Sequence, residues 1–194
     1  DFPAGHPYNN VTAMPNDAPL PPIWLLGSSG YSAELSAQVG MGFAFAHHFA
    51  SHDATDAMMQ YRRNFRPSDW RSTPYAILAV AAIAAETDAE AERLASSADL
   101  NRLLRERGQY APLFSVEEAL AHPYTEADRA SIARNRSRLF VGAPATIVQK
   151  LQPLIEATQP DEVMIITAVH DHAARKRSYE LFAAAFELDT LAAA

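Results

Sequence analysis

At 194 residues, with 48% hydrophobic and 20% charged side chains, the chain carries enough apolar material for a core, which excludes disorder of the whole. The 16 Lys+Arg against 23 Asp+Glu leave a net charge of −7, and the one basic cluster, Arg175-Lys176-Arg177, is too small to follow nucleic-acid phosphates or an anionic membrane. Cysteine is absent, which removes disulfides, thiolate nucleophiles and Cys-ligated metals; with no signal peptide and no apolar run near the roughly 20 residues of a membrane helix, a cytoplasmic protein is expected.

The chain opens on Asp1-Phe2-Pro3 without an initiator Met, and six of its 13 prolines lie in the first 22 residues. Proline fixes φ and removes ladder donors, so 1–22 reads as an extended Pro-rich connector entering a domain at 23–194, in a chain cut from something longer. Ile23-Trp24-Leu25-Leu26 reads as a buried strand, and the turn Gly27-Ser28-Ser29-Gly30 leads into a helix with Tyr31, Leu35 and Val39 at helical spacing and Gly40 as its stop. Residues 42–46 read as a second strand. Ala54, Met58, Tyr61 and Phe65 form one helical stripe that ends before Pro67.

The apolar run 75–85 reads as a third strand despite its alanines, and Thr87 with Glu90 is the capping-box signature of the next helix. An irregular, partly helical insertion is expected at about 105–140. Pro144 opens a helix with Ile147, Leu151, Leu154 and Ile155 on one face, which Pro153 should kink. Val163-Met164-Ile165-Ile166 is a fourth strand, and Asp171 is the N-cap of a terminal helix packing Leu181, Phe182, Ala185 and Phe186. Four strands alternating with four helices imply an α/β fold with parallel strands and right-handed crossovers, free of sequence repeats and low-complexity stretches.

The stretch WLLGSSGYSAELSAQVG followed by FAFAHHF resembles the start of the C-terminal half of bacterial luciferase-like flavin-dependent monooxygenases. The likeness continues through Tyr61-Arg62, Phe65-Arg66-Pro67-Ser68, Val141-Gly142-Ala143-Pro144, and Asp161-Glu162-Val163-Met164 leading to Asp171-His172-Ala173-Ala174-Arg175. The resemblance implies a TIM-type (β/α)8 barrel of which this chain supplies strands five to eight, with the family's mobile insertion before the last unit. It implies reduced FMN, supplied by a flavin reductase, or a deazaflavin coenzyme as the alternative. With oxygen the flavin oxygenates a small organic substrate. A missing N-terminal half-barrel, or self-association in its place, is the expected partner.

The GSSGYS turn suits an anion, because small residues let backbone N–H groups approach it at the positive end of the following helix; an ordinary turn with a Ser cap is the plainer reading. The resemblance matches the turn to the family's flavin-phosphate segment, which makes Gly27, Ser28, Ser29, Gly30 and Ser32 candidates, with Ala46 and His47 beside the flavin ring. His47, His48 and His52 read as zinc ligands only in isolation, since no acidic residue completes a motif and the family uses no metal. His170, Asp171, His172 and Arg175 offer either acid-base groups or a helix cap, so His47 and His172 are the weak catalytic candidates. A triad of Ser29, His172 and Asp171 lacks the G-x-S-x-G elbow. Trp24, Phe43, Phe45, Met58 and Met59 read as core, and the Arg129–Arg138 run as a solvated helix face.

Overall fold

The run AILAVAAIA contains only good helix formers and two kinds of branched residue, yet it forms the longest strand of the sheet, because eight of its nine positions are buried. In the computed structural model, which describes residues 2–12, 14, 15, 18, 19, 21–50 and 52–188, this strand is β3 (Ala76–Ala84). Before it come β1 (Trp24–Gly27), α1 (Gly30–Val39), β2 (Gly42–Ala46), a 3-10 turn (His47–Phe49) and α2 (Ala54–Asn64). After it come α3 (Asp88–Glu106), α4 (Val116–Ala121), α5 (Glu126–Asn135), a 3-10 turn (Arg136–Arg138), β4 (Leu139–Gly142), α6 (Pro144–Thr158), β5 (Glu162–Ile166) and α7 (His172–Ala185).

All pairing is parallel: β1 with β2, β2 with β3, and β3 with both β4 and β5. Ile77, Leu78 and Ala79 pair with β2 and β5 at once, so those two strands lie on opposite edges of β3. Ala81 likewise pairs with Leu139 and Ile166, which sets β4 beyond the carboxyl end of β2 on the same edge. The α/β class and the four expected strands are therefore present. β4 is an addition to that expectation, and α4 and α5 are the helical portions of the partly helical insertion.

One face of the sheet is covered by helices. Phe43, Phe45, Leu78, Val80 and Ala82 meet Met58 and Tyr61 of α2, Ile147 and Leu151 of α6, and Leu181 and Phe182 of α7. A second cluster joins Ile83 and Val141 to Ala91, Leu94 and Ala95 of α3 and Val116 of α4. Elsewhere on the other face Leu26, Met164 and Ile166 stay 65%, 47% and 41% exposed.

Three local readings need correction. In α1 Tyr31 and Val39 are exposed, Tyr31 at 74%, Leu35 is half-buried, and the buried face is Ala33, Ser36 and Ala37, whose small size lets the helix lie close to α2. Thr87 caps α3 by accepting the Glu90 N–H, but the Glu90 carboxylate turns to Arg93, so the box is only half made. In the expected connector, turn hydrogen bonds from His6 to Pro3, Asn9 to His6 and Val11 to Tyr8 make a run of turns rather than an extended segment.

Candidate functional site

The chain leaves β1 at Gly27 and enters α1 at Gly30, so the turn lies at the carboxyl end of the sheet. A Cβ at Gly27 would stand 2.1 Å from Ser32 Oγ, which makes glycine a packing requirement there. Ser29 occupies the N-cap position in extended geometry, but its side chain caps nothing, and the first turn of α1 has no acidic residue. The amides of this turn therefore keep their positive end open to an outside anion. Gln60 of α2, unremarked in the sequence, approaches this opening: its Oε1 would lie 3.3 Å from a Cβ at Gly30.

At the end of β2, Ala46 is fully buried and His47 begins the 3-10 turn. The His47 ring lies 6.0 Å from Phe140, and its Nδ1 is buried without a hydrogen-bond partner. Burial lowers the His47 pKa first, the positive charges of Arg138 and His48 lower it further, and Asp53 partly opposes them. His47 is thereby held toward the neutral form. His48 faces elsewhere, its Nδ1 3.3 Å from the Ala79 carbonyl.

Beside these histidines, a cavity of about 610 Å³ opens between α3 and the carboxyl half of the sheet. His48, Phe49, Ala81, Leu139, Ile166 and Ala168 form its sheet side. Arg102, Arg105 and Arg138 enter from the helical side and from the turn before β4. The arginine run is thus not one solvated face: Arg136 pairs with Asp99 and Glu92 and is half-buried, and Arg138 lines the cavity. Its chemistry went unread because Arg102 and Arg138 meet only through the fold.

The group near residue 171 serves the helix. Asp171 accepts the Ala174 N–H at 2.7 Å as the N-cap of α7, and His172 Nδ1 is 3.0 Å from Arg175 Nη2. Both His170 and His172 are exposed. Among the described residues, no group of three or more His, Asp or Glu is placed to hold a metal ion. No helix among them is long and apolar enough to cross a membrane.

Several of the quoted motifs hold the opposite, amino end of the sheet. The Tyr61 hydroxyl accepts the Tyr75 N–H at 3.1 Å and donates to the Met41 carbonyl at 2.9 Å. Asp161 Oδ2 accepts from Ala76 N at 2.7 Å and from Arg62 at 2.6 Å, tying α2, β3 and the entry to β5 together. Ser68 donates to the carbonyl of Gly40, whose φ of 68° a side chain would strain. At the carboxyl end, by contrast, the Val141-Gly142-Ala143-Pro144 segment that closes β4 is fastened by Asp88, which accepts from Ala143 N at 2.6 Å and from the Thr146 hydroxyl at 3.2 Å.

The family described as luciferase-like monooxygenase matches residues 2–159. The chain is 39% identical over 185 residues to the uncharacterized protein YceB of Bacillus subtilis (strain 168), an alignment covering 95% of this chain and 56% of that one. To a luciferase-like monooxygenase of Escherichia coli (strain K12) it is 35% identical over 180 residues, covering 93% and 54%. The crystal structure of apo-MsnO8 superposes with a TM-score of 0.82 at 32% identity, covering 95% of this chain and 56% of that one. The chain thus spans about half the length of the curated relatives it matches.

Proposed function

The chain belongs to the luciferase-like monooxygenase family, and from that premise we propose that it forms the C-terminal part of a flavin-dependent monooxygenase acting on a small organic substrate with reduced FMN and oxygen. The observation that carries this reading is the open amino end of α1, uncapped by any side chain and free of acidic residues, at the carboxyl end of β1. Helix amino ends in that position bind phosphate through backbone N–H groups and the helix dipole. In this reading β1, β2, β3 and β5 are the fifth to eighth strands of a (β/α)8 barrel, and its remaining strands cover the face where Leu26, Met164 and Ile166 are exposed.

The residues present fit such a cofactor: the α1 amides and the Ser29 and Ser32 hydroxyls suit a phosphate, and the orphaned, buried His47 Nδ1 suits a polar ring edge. When bound, reduced flavin supplies the activation of oxygen, and the protein supplies position and shelter. Gly27 admits the Ser32 side chain against the turn, which sets that hydroxyl beside the amino end of α1. Ala46, small and buried, leaves room beside the strand end. His47, neutral at its Nδ1 or Nε2, offers one donor and one acceptor for holding a proton near the reacting groups. A reductase is the expected source of reduced FMN, and a deazaflavin coenzyme is the competing cofactor.

The test is a titration of the full-length protein with FMN and with a deazaflavin, followed by product analysis under isotopically labelled dioxygen across a panel of small organic substrates. Ser29→Ala and Ser32→Ala should each weaken FMN binding by about 0.5–1.5 kcal/mol, the value of a neutral hydrogen bond. Unchanged affinity removes the turn from the site. Flavin binding without label in any product assigns a non-catalytic flavin binder instead.

A further inference from the structure

The cavity between α3 and the strand ends holds more positive charge than the chain neutralises. Asp99 is paired with Arg136 through two hydrogen bonds, both 2.8 Å, and Glu106, held by the neutral Ser131 and Asn135, also at 2.8 Å, offers its charge to Arg102, so the three arginines Arg102, Arg105 and Arg138 face one unpaired carboxylate. Arg102 gives one N–H to the His48 carbonyl at 3.0 Å, and Arg105 lies over the Tyr110 ring at 5.9 Å. Arg138 forms no ion pair among the described residues. It is half-buried at the cavity wall, close enough to His47 to act on it electrostatically.

Leaving a guanidinium partly desolvated and unpaired is costly unless an anion completes it. Phe49, Ala81, Leu113, Leu139 and Ile166 supply an apolar part of the wall, His48, Asn101, Tyr110 and Asn135 line it with the arginines, and about 610 Å³ accommodates a small organic molecule. Building on the proposed monooxygenase reading, we propose that this cavity is the substrate pocket and that Arg138, with Arg102 beside it, receives an anionic head group, a carboxylate on an aliphatic chain, so that the substrate is an amphiphilic organic acid. Arg138 fixes the acid end, and the apolar wall of Phe49, Leu113, Leu139 and Ile166 holds the chain.

The experiment is calorimetric titration of the full-length protein, without flavin, using octanoate and octan-1-ol as probes matched in chain length. Octanoate should bind more tightly than the alcohol. Arg138→Ala should weaken octanoate by roughly tenfold or more, the scale of a hydrogen bond to a charged group, and leave octanol unchanged. Arg138→Lys, which keeps the charge but not the fork, should recover part of the loss. FMN affinity should not move in either variant. Equal binding of the two probes, or octanoate affinity indifferent to Arg138→Ala, overturns the proposal. So does a loss of FMN affinity in Arg138→Ala with octanoate unaffected, which gives the guanidinium to the cofactor. A protein that prefers octanoate through Arg138 but binds no FMN supports the acid pocket and sinks the flavin reading alone.

Discussion

The two ends of the parallel sheet hold their polar groups in opposite conditions. At the amino end, Tyr61 bonds to Tyr75 and Met41, Asp161 accepts from Arg62 and from Ala76 N, Ser68 donates to the Gly40 carbonyl, and Arg71 lies over the rings of Trp24 and Tyr75 at 5.0 and 4.8 Å. Only Arg62 Nε is left there as a buried atom without a partner, among the described residues. At the carboxyl end, α1 opens uncapped, His47 Nδ1 is buried and orphaned, and Arg138 has no described acid. Polar groups that satisfy each other stabilise the fold, and in the proposed reading the incomplete groups of the carboxyl end receive the ligand. The same family motifs therefore divide into two sorts of work, and substitutions should divide the same way.

The largest expected effect is at the amino end. Tyr61 is fully buried within the main cluster, so Tyr61→Ala should cost about 3–5 kcal/mol of unfolding free energy, measured by denaturant titration. Tyr61→Phe, which keeps the ring but strands the Tyr75 N–H and the Met41 carbonyl, should cost about 1–3 kcal/mol and leave FMN affinity as it was. If Tyr61→Phe weakened FMN while stability held, the division between the ends would fail.

Carboxyl-end changes should invert that pattern. Gly27→Ala forces a Cβ onto Ser32; overpacking of this kind costs about 1–3 kcal/mol of stability, and displacing Ser32 should also reduce FMN affinity. Arg138→Ala removes a half-buried, unpaired charge, so it should leave stability unchanged or slightly raised while octanoate binding weakens.

The smallest effect is one of pH. The folded pKa of His47 is lowered, chiefly by burial, so the unfolded chain takes up its proton first as pH falls. Its contribution is present above the ordinary value of 6.5 and is lost as pH drops below it toward the folded value. His47→Gln should flatten the decline of melting temperature over roughly pH 7 to 5, and Arg138→Ala should soften it. An unchanged pH slope in both variants would show that His47 is not shielded in solution.

Much of this architecture could be read from pattern. Continuous apolar strands, the Ala54-Met58-Tyr61-Phe65 stripe, and the Asp171 cap are local signals, and the structure contains each. The face of α1 was misread because it packs through Ala33 and Ala37, whose burial depends on closeness to α2 rather than on side-chain size. Helices α4 and α5 were signalled by complete capping boxes, Ser115 with Glu118 and Thr125 with Asp128, in a stretch whose prolines suggested irregularity. The four-residue β4 pairs only with the far end of β3, a long-range fact that its own composition does not carry. For the candidate site, the Gly-Ser turn could be proposed from the sequence because its residues are contiguous, whereas the cavity joins residues 48, 102, 138 and 166 and exists only once the sheet is formed.

The phosphate at the amino end of α1 is the centre of this account, and riboflavin, which is FMN without that phosphate, tests it most directly. Calorimetry of the full-length protein should show FMN binding roughly tenfold to a hundredfold more tightly than riboflavin, the span of one charge-assisted hydrogen-bond set, with the difference shrinking in a Ser29→Ala, Ser32→Ala double variant. Equal affinity for FMN and riboflavin, or a difference untouched by the double variant, would contradict it.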